Sequence, residues 1–163
     1  MRIHRFIATG LGTGYAPIAP GTVGSILGLV TIYLVNYSFN VFHLSPSSTT
    51  VLNLFFTALV LFMGVWSIKK VHETWTHDAS EIVIDEVVGI WITMIAIPFA
   101  WPYYLIGLVL FRFFDIAKPL GIRKIDKMKG SWSVMLDDVL AGVYSNASLQ
   151  LIVYLNESYF NWF

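Results

Sequence analysis

From Thr50 to Ile68 the chain carries no charged side chain, and the run includes Val51-Leu52-Asn53-Leu54-Phe55-Phe56-Thr57-Ala58-Leu59-Val60-Leu61-Phe62-Met63. A helix of about 20 such residues, rising about 1.5 Å per residue, crosses a hydrocarbon layer of about 30 Å. A water-soluble fold would have to bury this whole segment, and the rest of the chain has little polar surface to cover it with. Hydrophobic residues make up 56% and charged residues 12%, against roughly 25% charged in ordinary soluble domains. Lipid is the solvent that tolerates this deficit. The expected fold class is therefore all-α: a polytopic membrane bundle of about four to five spanning or partly embedded helices. A single domain over residues 1–163 is the natural organisation at this length.

Four further apolar stretches accompany this one, which is the second of five in chain order, at about Val23–Val35, Ile82–Ala100, Tyr103–Ile116 and Val134–Leu155. The first and third of these four are short for a full crossing. No internal repeat or long linker separates them, and the basic Met1-Arg2-Ile3-His4-Arg5 is not followed by the short apolar core and small-residue cleavage site of a removable signal peptide. The formal net charge is zero, so no basic field draws nucleic acid. There is no cysteine, which excludes disulfides, zinc–thiolate sites and a cysteine nucleophile. Nothing in the sequence implies an obligatory protein partner.

Charge placement orients the segments. Arg2 and Arg5 precede the first stretch, Lys69 and Lys70 follow the second, and Lys118, Arg123, Lys124, Lys127 and Lys129 lie between the fourth and fifth. The connections Asn36–Thr49 and Pro98–Pro102 carry no Lys or Arg. The positive-inside rule then predicts a cytoplasmic N-terminus and basic loops on that side. Of the ten acids, none precedes Glu73, and eight fall between Asp78 and Asp138: Asp78, Glu81, Asp85, Glu86, Asp115, Asp126, Asp137 and Asp138. This topology brings them to the cytoplasmic boundary from segments far apart in sequence.

In Asp78-Ala79-Ser80-Glu81-Ile82-Val83-Ile84-Asp85-Glu86, a helix would put Asp78, Glu81 and Asp85 on one face. Acids at a helix start also cap free N–H groups and suit the dipole, so capping and chemistry are both open there. Asp85 and Glu86, however, lie inside an apolar run, where ionisable groups are costly and mark sites. Adjacent Asp137 and Asp138 repel each other unless a cation or shared proton relieves them. Oxygen ligands without cysteine suit a hard divalent ion such as Mg²⁺. Arg112 and Asp115, three residues apart, could form a simple intrahelical pair, or Arg112 could grip a phosphate with Lys118 as a second cation. The Gly- and Pro-rich stretch Ala8–Ser25 predicts a shaped, non-helical backbone. Its N–H groups, with Gly21 and the Thr22 and Ser25 hydroxyls, could hold phosphate oxygens. His4, His43, His72 and His77 form no His-x-x-x-His pair.

Taken together, four motifs in order resemble the phosphatidylglycerophosphatase A family over roughly Thr9 to Tyr144. They are Gly-x-Gly-Tyr-x-Pro-x-Ala-Pro-Gly-Thr-x-Gly-Ser (Gly12 to Ser25), Glu-Ile-Val-Ile-Asp-Glu-x-x-Gly (Glu81 to Gly89), Phe111-Arg112-x-Phe-Asp115-x-x-Lys118-Pro119, and Met135-Leu136-Asp137-Asp138-x-x-Ala141-Gly142. Two departures stand beside the match: Leu120-Gly121-Ile122 after Lys118-Pro119, and Lys129-Gly130-Ser131-Trp132-Ser133 before the paired aspartates. The resemblance implies a Mg²⁺-dependent phosphatase converting phosphatidylglycerophosphate to phosphatidylglycerol at the cytoplasmic face of a bacterial inner membrane. The expected metal ligands are Asp85, Glu86, Asp137 and Asp138. Asp85, Asp115 and Arg112 are the expected catalytic groups, and Lys118, Arg112, Gly21, Thr22 and Ser25 the expected substrate-binding ones. The rivals are a small transporter and a non-catalytic, cation-binding membrane subunit using the same carboxylates.

Overall fold

The computed structural model describes residues 2–76, 79–128, 130–160 and 162. His77, Asp78 and Lys129, which entered the readings above, lie outside the described residues. Helix α1 (Arg2–Ala8) passes through a 3-10 turn at Thr13–Tyr15 into α2 (Pro20–Val41) and α3 (Pro46–Val71). There follow α4 (Ile84–Thr93), α5 (Trp101–Ala117), α6 (Ile122–Asp126) and α7 (Ser131–Leu155), with a π-helical turn at Asn156–Phe160. Among the described residues there is no strand, and the chain is all-α.

Helices α2 and α3, of 22 and 26 residues, are long and apolar enough to cross a membrane. On α3 the side chains of Val51, Phe55, Leu59, Phe62 and Trp66 are exposed at helical spacing. Such a continuous apolar stripe suits lipid and not water. Pro46 begins this helix, and the Ser45 hydroxyl caps it by accepting the Ser48 N–H at 3.2 Å.

Helix α2 outruns the expected apolar stretch at both ends. It begins at Pro20, so Gly21, Thr22, Gly24 and Ser25 are helical, contrary to the irregular backbone expected of them. Ala19, in the left-handed region at φ 49°, turns the loop sharply into the helix, and Pro20 fits a first helical position where no N–H is needed. At the other end the helix continues through the polar Asn36–Asn40 segment, expected as loop. Buried Asn36 donates from Nδ2 to the Tyr104 hydroxyl at 2.9 Å and accepts from Asn53 Nδ2 at 2.9 Å. These bonds tie α2 to α3 and α5 and make an amide acceptable inside the bundle.

The stretch Ile82–Ala100 departs most from expectation. Its helix, α4, has ten residues, about 15 Å of rise, too little to cross alone. It is buried on most sides, with Ile84, Asp85, Val87, Val88, Gly89, Ile90, Trp91 and Thr93 all inside. The chain after Thr93 turns irregularly, with Ala96 at φ 57°. Backbone groups freed by a broken helix need partners in an apolar setting. Asn146 of α7 supplies them, donating from Nδ2 to the Thr93 carbonyl at 2.9 Å and the Ile95 carbonyl at 2.8 Å.

Contacts fix the directions. The start of α2 (Gly21) meets the start of α4 (Glu86) and the end of α5 (Arg112), and Gly64 near the end of α3 meets Met135 near the start of α7. The N-terminal ends of α2, α4 and α7 thus gather at one end of the bundle with the C-terminal ends of α3 and α5. The helices close on one another through small residues. A Cβ on Gly142 would lie 2.6 Å from the Gly89 carbonyl oxygen, and one on Gly24 would lie 2.7 Å from Val83 Cβ. Gly142→Ala should therefore force α7 from α4 and cost about 1–3 kcal/mol, read as a lowered thermal midpoint in detergent. Val109→Ala, on an exposed face of α5, should shift it far less. Equal midpoints for Gly142→Ala and the native chain would contradict this close packing.

Candidate functional site

Where the three helix N-termini meet, a cavity of about 300 Å³ is lined by Asp85, Glu86, Asp115, Asp126, Asp137 and Asp138. Arg112 and Lys118 are the cations in its wall, and Pro20 and Gly21 close the α2 side. Asp85 and Glu86 come from the first turn of α4, Arg112 and Asp115 from the end of α5, Asp126 from α6, and the aspartate pair from near the start of α7. Helix N-termini carry partial positive charge and unpaired N–H groups, which favour carboxylates and anionic ligands there.

One oxygen from each of Asp85, Glu86 and Asp138 lies within 4.8 Å of the other two, a group that could hold a metal ion. Asp85 and Asp138 are 9% and 4% exposed, so water does little to separate their charges. Glu86 Oε2 and Asp137 Oδ1 are buried without a hydrogen-bond partner. A buried carboxylate oxygen lacking a donor is costly, and a hard cation relieves it with the oxygen ligands it prefers. The donor set therefore fits a divalent ion such as Mg²⁺. Asp137 stands outside the three-carboxylate group, although the sequence grouped all four.

Each cation is held by acids. Arg112 Nη1 pairs with Asp115 Oδ2 at 2.7 Å and donates to the Ser25 hydroxyl at 3.3 Å. Arg112 Nε is buried with no partner. The intrahelical pair that the spacing allowed is thus formed, inside the cavity wall. Lys118 Nζ bonds Asp126 and, at 2.7 Å, Asp137 Oδ2. Partial burial pulls the Lys118 ammonium toward the neutral form, but its bonds to Asp126 and Asp137 and their charges outweigh that and hold its pKa above the ordinary lysine value. Lys118 sits at φ 46° after the last turn of α5, a conformation that costs energy in a non-glycine residue and is kept where surroundings enforce it.

The Gly-rich approach contributes differently from expectation. Ser25 is fully buried and donates to the Gly21 carbonyl at 2.8 Å while accepting from Arg112. Thr22 is half-buried in the first turn of α2 and outside the cavity lining. Gly21 lines the cavity, and a Cβ there would lie 2.2 Å from Glu86 Oε1. The expected helical face shared by Glu81 and Asp85 does not form, because α4 starts only at Ile84. Glu81 instead lies in the preceding turn, with its carbonyl packed on Gly14. Asp126 and Ser133 line the cavity without a role assigned from sequence. Asp126 could be recognised only as an acid in a basic loop, and the Ser133 hydroxyl bonds the Met128 and Gly130 carbonyls at 2.9 Å.

A family model described as phosphatidylglycerophosphatase A matches residues 6–153. A Bacteroides thetaiotaomicron protein named "Putative phosphatidylinositol-3-phosphatase" is 44% identical over 85% of this chain and 86% of its own length. Proteins named phosphatidylglycerophosphatase A from Haemophilus influenzae and Escherichia coli K12 are 39% and 35% identical. They align over 88% and 90% of this chain and 83% and 81% of their own lengths. No solved structure matches.

Gly21→Ala tests how tightly the site is assembled. Its Cβ must displace the end of the flexible Glu86 side chain and leave the backbone in place. Phosphate release from a lipid phosphomonoester should fall by about a hundredfold, with the thermal midpoint nearly unchanged. Native rates in Gly21→Ala would show that the Glu86 position is immaterial.

Proposed function

The chain belongs to the phosphatidylglycerophosphatase A family and is a phosphatase, and on that premise we propose that it hydrolyses phosphatidylglycerophosphate to phosphatidylglycerol and phosphate in phospholipid biosynthesis. The observation that carries this reading is the cavity in which six carboxylates, Arg112 and Lys118 meet at one end of an apolar bundle. A lipid phosphomonoester keeps its chains in hydrocarbon and its phosphate at the surface, where such a cavity opens. Residues 1–163 form one membrane domain of four to five passes: α2, α3, α5 and α7 cross, and the segment from α4 to Ala100, helical over only part of its length, carries the chain from the cavity end to the start of α5. Arg2, Arg5, Lys69, Lys70, Arg123, Lys124 and Lys127 belong to the cavity end, which the positive-inside rule assigns to the cytoplasmic side of a bacterial inner membrane.

Mg²⁺ is the cofactor of this reading, held by Asp85, Glu86 and Asp138 with Asp137 beside them. When bound it supplies Lewis-acid polarisation of a phosphoryl oxygen. Arg112 donates to the phosphoryl oxygens, and Asp115 and Ser25 orient its guanidinium for that task. Lys118 adds a second positive charge where negative charge is spread in the transition state. The backbone N–H of Gly21, in the first turn of α2 and in the cavity wall, adds a donor at a positive helix end. Asp85 takes the proton of the attacking water on a carboxylate oxygen. The water oxygen bonds phosphorus as the P–O bond to the glycerol headgroup breaks, and the proton held on Asp85 passes to the departing alkoxide, which restores the carboxylate.

The 44% identical relative favours a second reading, in which the same site acts on a phosphorylated inositol lipid. The chemistry at phosphorus is shared, and only the headgroup differs. A transporter or a cation-binding subunit is less favoured, because the acids collect at one end of the bundle beside two cations and do not mark a path through it.

Phosphate release by detergent-purified protein decides between these readings. We expect release from phosphatidylglycerophosphate that stops on chelation, returns with Mg²⁺, and falls at least a hundredfold in Asp85→Asn and Asp138→Asn. Faster release from phosphatidylinositol 3-phosphate would transfer the assignment to the second reading. No release from either lipid by folded protein, across divalent ions, would overturn the proposed reaction.

A further inference from the structure

Every group in the cavity wall can be assigned a charge. Among the described residues, Asp85, Glu86, Asp115, Asp126, Asp137 and Asp138 face only two cations, Arg112 and Lys118. With all groups ionised, four negative charges remain uncompensated. A phosphomonoester brings about 1.5–2 more at neutral pH. A single divalent ion would leave an anionic cavity into which an anionic phosphate must still move, whereas two would bring the wall to neutrality.

Geometry divides the carboxylates in the same way. Asp85, Glu86 and Asp138 form one group with ligand atoms within 4.8 Å, and Asp137 is not part of it. Asp137 is only 7% exposed, and its Oδ1 has no hydrogen-bond partner, whereas its Oδ2 is occupied by Lys118. Asp126 reaches the same ammonium from α6. One lysine is thus shared by two carboxylates, and a buried oxygen in the cavity wall is left without a partner. Mg²⁺ keeps several waters and is commonly held by one or two carboxylates together with phosphate oxygens. Asp137 and Asp126 supply that number.

We infer that the cavity takes two divalent cations, one on Asp85, Glu86 and Asp138 and a second, bound together with phosphate, on Asp137 and Asp126. This inference rests on the metal-dependent phosphatase reading and adds a second ion position with its ligands. Asp137 and Asp126 would hold that cation in place of Lys118, and the Lys118 ammonium would then be free to donate to the phosphate. Asp126 thereby becomes a site residue, and α6 the element that carries it to the cavity.

The test is Mn²⁺ binding by the detergent-purified chain with inorganic phosphate present, read as stoichiometry and by electron paramagnetic resonance. The native chain should bind two Mn²⁺ whose spectrum shows coupling between ions in one cavity. Asp137→Asn and Asp126→Asn should each bind one, with an uncoupled spectrum. Asp126 lies on a short, partly exposed helix, so its variant keeps the test readable should Asp137→Asn fold poorly. One Mn²⁺ in the native chain would overturn the inference and leave the phosphatase reading standing. Two in both variants would overturn the assignment to Asp137 and Asp126. No bound Mn²⁺, together with phosphate release that persists in chelator, would overturn both the inference and the metal dependence on which it rests.

Discussion

Crowding of like charge at one end of an apolar bundle is the constraint around which the rest of this molecule is arranged. Two unit charges 4 Å apart repel by on the order of 4 kcal/mol at an effective dielectric constant of about 20. Entire domains are stable by only about 5–15 kcal/mol. Asp85, Glu86 and Asp138 lie within such a range of one another, with three further carboxylates in the same wall. A fold that served stability alone would keep these groups apart. Here the repulsion is countered by Arg112 against Asp115 and Lys118 against Asp126 and Asp137, by the positive ends of three helices, and, in the proposed function, by metal.

Holding the acids together requires the helices to approach closely and stay there. Glycines at the crossings of α4 with α2 and α7 leave no room for a Cβ, so the backbones themselves are in contact. At the opposite end, uncharged polar side chains tie the helices to each other: Asn36 joins Tyr104 and Asn53, and Asn156 donates to the Tyr103 hydroxyl at 3.0 Å. The short α4 is the centre of this arrangement. It needs to reach only far enough to present Asp85 and Glu86 at its N-terminus, and Asn146 satisfies the carbonyls where it stops. The bundle is thus fastened by neutral hydrogen bonds at one end and by charge pairs at the other.

Much of this was legible in the residues. The charge-free run in α3 and the small share of charged residues announced a helical chain suited to lipid. The placement of acids at the ends of apolar segments announced the cavity. What could not be read depends on tertiary partners. The polar Asn36–Asn40 segment looks like a loop until Tyr104 and Asn53 are found opposite Asn36. The end of α4 at Thr93 has no strong breaker beside it, since Pro98 comes later, and it is stabilised by an amide from α7 that is far off in sequence. The glycines before Ser25 signalled irregular backbone, yet Gly21 and Gly24 lie within a helix, where glycine serves close packing because neighbouring residues occupy the space a side chain would fill. Asp126 carried no motif, and only its contact with Lys118 brings it into the site.

The central claim is that these helix ends converge to hold a divalent ion beside a phosphate. A crystal grown with Mn²⁺ and phosphate, measured for anomalous scattering, addresses it directly. The account predicts an anomalous peak bounded by Asp85, Glu86 and Asp138, with phosphate density between it and Arg112. Phosphate bound in the cavity with no metal peak among those carboxylates, or metal bound only elsewhere on the molecule, would contradict it.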